Sequence, residues 1–137
     1  MGRVFFNTRR NVHALTAAYT VLTSDSGKIF TLDSTGGAYD ITLPAMEAGL
    51  FYKFVVLEDT PSADITIKSN SADGDDKLDL VGKDSQSDLG PSTAGTAVND
   101  IVVDQVAKQG TYVNLYSDGT GWYAESIGAA DGSIHTA

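Results

Sequence analysis

The chain is expected to fold as an all-β domain: an antiparallel β-sandwich, jelly-roll-like, or a short barrel, with an extended N-terminal arm. Three observations predict this. Short segments alternate apolar and polar residues at the two-residue period of a half-buried strand. Clusters of Gly, Ser, Asp and Thr interrupt them at close intervals. No segment carries an apolar stripe at helical spacing over several turns.

Residues 1–14 show no clear period and read as the extended arm. Tyr19 to Val21 and Ile29 to Leu32 are short, β-branched and aromatic, and Ser24-Asp25-Ser26-Gly27 separates them as a turn. Phe30 and Leu32 share the inward face of the second segment. Ser34-Thr35-Gly36-Gly37 reads as a hairpin turn, since glycine tolerates positive φ. Tyr39, Ile41 and Leu43 then alternate with Asp40 and Thr42, and Pro44 ends that strand because it has no N–H to donate. Leu50 to Leu57 is almost continuously apolar and is expected to be a central strand covered on both faces.

Ile65 and Ile67 mark another short strand. Residues 69–99 are acidic and polar around Leu78, Leu80 and Val81, which suits either a long pinned loop or a short hairpin between loops. Ile101 to Val103 resumes the strand pattern. Tyr112 to Tyr116 and Trp122-Tyr123 flank Ser117-Asp118-Gly119-Thr120-Gly121 as a hairpin. The domain is expected to span 15–127, and 128–137 to be a small-residue tail.

A length of 137 residues suits one domain, which can bury roughly 70% of its unfolded surface. There is no cysteine, so disulfides and thiolate chemistry are excluded. No apolar run approaches the about 20 residues of a membrane helix, and the basic N-terminus lacks the apolar stretch of a signal peptide. Synthesis in a cytoplasm and a soluble life without a membrane partner are the expectation.

The net charge of -9 argues against nucleic acid as a partner. Its distribution says more. Arg3, Arg9 and Arg10 lie before residue 25 with no acid among them, whereas all 18 acids follow. A basic segment on an acidic body is expected to dock onto an acidic surface. Val4, Phe5 and Phe6 stand among those arginines, and aromatic and Arg side chains are favoured at interfaces.

Residues that could do chemistry are sparse. Asp73, Asp75, Asp76 and Asp79 crowd one loop, but the glycine is misplaced for a calcium loop and no bidentate glutamate follows, so a solvated acidic loop is the reading. His13 and His135 lie near the two ends, in segments expected to be mobile. With no cysteine they do not make a zinc site, and no nucleophile elbow or phosphate loop is present. The reading is a protein that is not an enzyme, with no cofactor and no metal. Tyr52, Phe54, Tyr112 and Tyr116 are expected to be core or subunit-contact residues, and Trp122 fits a core position better than a sugar platform.

Gly36-Gly37-Ala38-Tyr39-Asp40-Ile41-Thr42-Leu43-Pro44, followed by Gly49-Leu50-Phe51-Tyr52-Lys53-Phe54, resembles a β module of bacteriophage virion proteins. Thr23 to Asp33 resembles its opening strand, and Leu115 to Tyr123 its closing hairpin. Head decoration (cement) proteins and tail-fibre domains share this module. One module with a basic arm and no fibre repeat is most similar to a capsid decoration protein. The resemblance implies a homotrimer on the outer capsid surface of the virion, binding the major capsid protein. Arg3, Val4, Phe5, Phe6, Arg9 and Arg10 would then form the capsid-binding arm. The alternative is a tail-fibre or baseplate domain binding a host glycan through Trp122 and Tyr123. A hydrolase of a surface polymer is a third reading, supported only by carboxylates of no particular spacing.

Overall fold

The computed structural model describes residues 9–75, 77–84, 94–130 and 132–137, with backbone alone at 81–84 and 94–98. The described chain forms β1 (Val12–Leu15), β2 (Tyr19–Thr20), β3 (Ile29–Leu32), β4 (Tyr39–Thr42), β5 (Ala48–Val56) and β6 (Ile65–Lys68). It continues as β7 (Leu78–Asp84), β8 (Ala94–Val98), β9 (Asp100–Val103), β10 (Tyr112–Asp118), β11 (Trp122–Gly128) and β12 (Ile134–Thr136). A seven-stranded sheet has the order β1-β3-β5-β10-β11-β7-β8, and a five-stranded sheet the order β12-β9-β6-β4-β2. Their inner faces share one apolar core, so the molecule is an all-β sandwich.

Alternation places the core. In β3, Phe30 and Leu32 are buried; in β4, Tyr39 and Ile41; in β6, Ile65 and Ile67. Leu50, Tyr52, Phe54 and Val56 point inward from β5, and Val113 and Leu115 from β10. Trp122 from β11 lies 5.9 Å from the Tyr52 ring.

The pairing is mixed where antiparallel neighbours were expected throughout. From β1 to β6 the chain changes sheet at every strand, so β1, β3 and β5 lie parallel in one sheet and β2, β4 and β6 parallel in the other. Parallel neighbours require a crossover. Here each crossover contains a strand of the opposite sheet. This winding stacks Phe30 beside His13 and Phe54, and Ile41 beside Tyr19 and Ile67. Consequently Ser34 to Gly37 is not a hairpin turn: it carries the chain from β3 in one sheet to β4 in the other.

Other expectations change for related reasons. The segments holding the histidines are paired. His13 sits in β1 and touches the Tyr19 and Phe30 rings, at 4.8 and 5.5 Å between centroids. His135 sits in β12 opposite Val102. The arm expected over 1–14 therefore joins the sheet at Val12, and the expected tail contains the edge strand β12. Within 69–99, β7 and β8 pair antiparallel, which selects the short hairpin over the pinned loop. β5 is central, but only one of its faces is buried, because Phe51, Lys53 and Val55 look outward and are half-exposed. Among the described residues no helix is long and apolar enough to cross a membrane.

Loops that change sheet are tied by side chains. Asp25, 3% exposed, accepts from Lys28 Nζ at 2.6 Å and from Tyr19 Oη and the Leu22 N–H at 3.0 Å. Burial pushes the Asp25 carboxyl up, but these donors outweigh it and hold it below the usual carboxylate range. Ser34 accepts from the Ser62 and Ala63 N–H groups and donates to Glu58. Tyr39 donates to the Leu15 carbonyl and Tyr52 to the Leu22 carbonyl, and burial lifts both phenols to about 12.

The outer faces differ. The five-stranded sheet presents Asp40, Thr66 and Lys68, with Lys68 Nζ 2.8 Å from Asp40. The seven-stranded sheet presents three cross-strand rows centred on β10: Val55–Tyr112–Ile127, Lys53–Asn114–Glu125 and Phe51–Tyr116–Tyr123.

Candidate functional site

The basic segment enters the sandwich beside β3, and there the chain forms an open cleft of about 470 Å³. Arg9, Arg10 and Asn11 form one wall, and Ser24, Ser26, Gly27 and Lys28 the other. The local structure follows from the sequence. Asn11 accepts the Ile29 N–H through its carbonyl at 2.9 Å, which lays the incoming chain along β3. Gly27 has φ +88°, a conformation open to glycine, and its N–H reaches the Phe51 carbonyl at 2.7 Å. Its own carbonyl accepts from Arg10 Nη1 at 3.2 Å. The Arg10 guanidinium also lies 5.6 Å from the Phe51 ring centroid, within cation–π range. Ser26 Oγ accepts the Phe51 N–H at 3.0 Å.

Three cations thus line one cleft. Lys28 is neutralised by Asp25, whose hydrogen bond raises the Lys28 pKa. Arg9 and Arg10 place two guanidinium groups on one wall of this cleft, on an otherwise acidic chain. A guanidinium presents a planar fork of donors that fits a carboxylate in two parallel hydrogen bonds. The cleft can hold acidic side chains of a partner.

Of the residues expected to bind, Arg9 and Arg10 are brought together here; Arg3, Val4, Phe5 and Phe6 lie outside the described residues. Tyr52 and Phe54 are fully buried and are core residues, unable to touch another subunit. Tyr112 and Tyr116 face outward from β10, and Tyr116 is 52% exposed. Trp122 is 0% exposed, so it cannot stack on a glycan. Tyr123 is half-exposed, stacked on Tyr116 at 5.4 Å, with its hydroxyl donating to Asp118 at 3.2 Å.

The acidic loop serves the fold: Asp73 accepts the Met46 N–H at 3.0 Å. No group of three or more His, Asp or Glu side chains could hold a metal ion among the described residues. A second open groove, beside Gly36, Gly37 and Tyr39, is lined by small residues with Asp40 and Asp64. Both acids are engaged, Asp40 by Lys68 and Asp64 by the Gln105 N–H.

Sequence reasoning found the arginines but missed the opposite wall. Ser24 and Ser26 read there as turn chemistry, Lys28 only as part of the segment Thr23 to Asp33, and Phe51 as a covered core residue. The spacing of Asp25 and Lys28 was the available signal. No protein-family model matches the chain, and neither the curated proteins nor the solved structures contain a match.

Proposed function

We propose that the protein is a decoration, or cement, protein of a bacteriophage head, acting by binding and not by catalysis. The observation that carries this is the basic cleft where the arm enters the fold: Arg10 is anchored on Gly27 and Phe51, beside Arg9, on a chain of net charge -9. The partner is the major capsid protein, whose carboxylates would pair with Arg9 and Arg10. The sandwich would remain on the outer surface of the head. Stabilisation of the particle would come by mass action, since a protein that binds only the assembled lattice favours assembly.

The test uses undecorated heads mixed with the full chain and sedimented. Arg9→Glu with Arg10→Glu is expected to abolish cosedimentation while the circular dichroism of the protein is unchanged. Added salt is expected to weaken wild-type binding, because exposed ion pairs are screened over about 8 Å at physiological ionic strength. Full decoration by the doubly reversed protein would refute the reading.

A further inference from the structure

We infer that the outer face of the seven-stranded sheet is a self-association surface, which a second copy of this chain covers face to face. Exposed apolar side chains cluster there. Tyr116 and Ile127 are 52% and 47% exposed, and Phe51 and Tyr123 flank Tyr116 in one row. A contiguous aromatic patch on a sheet face marks an interaction surface more often than a solvated one.

Charge selects the occupant and its orientation. The middle row places Lys53 on β5 and Glu125 on β11, on either side of Asn114. Among the described residues neither makes an ion pair: Lys53 Nζ lies 4.6 Å from the Tyr112 ring centroid, and Glu125 accepts from Asn114 at 3.1 Å. Of the twofold axes that set this face against itself, two run with the strand grid. An axis across the strands opposes Lys53 to Lys53 and Glu125 to Glu125, which repels. An axis along β10 sets β5 of one copy over β11 of the other. Lys53 then meets Glu125 of the second copy twice, and Phe51 meets its Tyr123 twice. Of these two axes, only the one along β10 makes the pattern self-complementary, as an isologous interface requires. Sheets packed face to face lie about 10 Å apart with interleaved side chains, a separation these rings and chains span. The pairing is twofold, where the resemblance to decoration proteins implies threefold association.

Sedimentation velocity on the full chain, over a hundredfold range of concentration, tests this without any capsid. The wild type is expected to pass from one to two copies. Lys53→Glu and Glu125→Lys are each expected to weaken the pair at least tenfold, by opposing like charges. The double variant, Lys53→Glu with Glu125→Lys, is expected to restore it, because opposite charges again meet. A wild type that stays monomeric, a three-copy species, or single variants that assemble like the wild type would each overturn the proposal. So would a monomer whose Lys53→Glu variant loses binding to heads, which would assign the face to the capsid lattice. Arg10 stacks on Phe51 at the rim of this face, so the variants that separate the two proposals are those at Lys53 and Glu125, which leave Arg9 and Arg10 in place: loss of the pair with head binding retained is the result expected.

Discussion

Residues 12–68 and residues 78–136 contribute to the same two sheets by different routes. In the first region β1 to β6 cross between sheets at every step, and every strand lies beside parallel neighbours from its own region. In the second, β10 and β11 form a hairpin closed by one short turn, and β7 pairs antiparallel with β8. The cost of each route shows in its loops. A chain that leaves one sheet for the other carries backbone donors that no ladder satisfies. Here the buried Asp25 side chain accepts from the Leu22 N–H, and the buried Ser34 hydroxyl accepts from the Ser62 and Ala63 N–H groups, 28 and 29 residues further along the chain. A hairpin needs only local bonds: Asp118 accepts from the Thr120 and Gly121 N–H groups, and Ser117 from that of Gly119. Winding therefore depends on particular buried polar side chains, and the hairpin on turn chemistry.

The largest expected effect lies where the two regions meet. Tyr52 is fully buried, contacts Trp122 of the hairpin and donates to Leu22 of the wound region. Tyr52→Ala is expected to cost about 3–5 kcal/mol by opening a cavity in the shared core. Chemical denaturation checks this, with fluorescence of Trp122 and far-ultraviolet dichroism followed together. Coincident transitions would show one cooperative unit, and separated ones would show that the regions unfold independently.

Next comes the latch. Asp25→Asn removes the charge that Lys28, Tyr19 and Leu22 share, and about 2 kcal/mol of stability is expected to go with it. Because the folded carboxyl titrates below its unfolded value, its contribution is complete above the ordinary carboxylate range and is lost as pH falls through the lowered value. The difference in denaturation midpoint between wild type and Asp25→Asn should therefore be full at neutral pH and shrink in acid. A difference that is constant down to acid pH would mean the charge of Asp25 does not hold the turn.

The smallest effect belongs to the hairpin. Gly119 has φ +90°, and a Cβ there would meet the Ala48 N at 3.3 Å. Gly119→Ala is expected to cost roughly 1–2 kcal/mol, the strain of a left-handed non-glycine residue. Amide exchange should quicken in β10 and β11 and stay unchanged in β3 and β4. Equal quickening in both would erase the distinction between the regions.

Most strands were legible in the residues. Phe30 with Leu32, Tyr39 with Ile41 and Ile65 with Ile67 alternate with polar neighbours, and each pair is buried. The hairpin at Ser117 to Gly121 was legible too, because its turn is made within five residues. The candidate site was half legible: two adjacent arginines are conspicuous on an acidic chain, whereas Ser26 and Phe51 join them only through folding.

Which faces were buried, and roughly where each strand ran, followed from the sequence by itself, since successive side chains of an extended chain point to opposite sides whatever lies next to them. Which strand lay beside which was decided by the tertiary structure. Ser34 to Gly37 has the composition of a hairpin turn, yet it joins two sheets. Phe30 rests on Phe54, 24 residues on, with stacked rings 5.2 Å apart. Neighbours of that kind are chosen by the packing of whole layers, and no local signal distinguishes a turn that folds the chain back from one that carries it across the core.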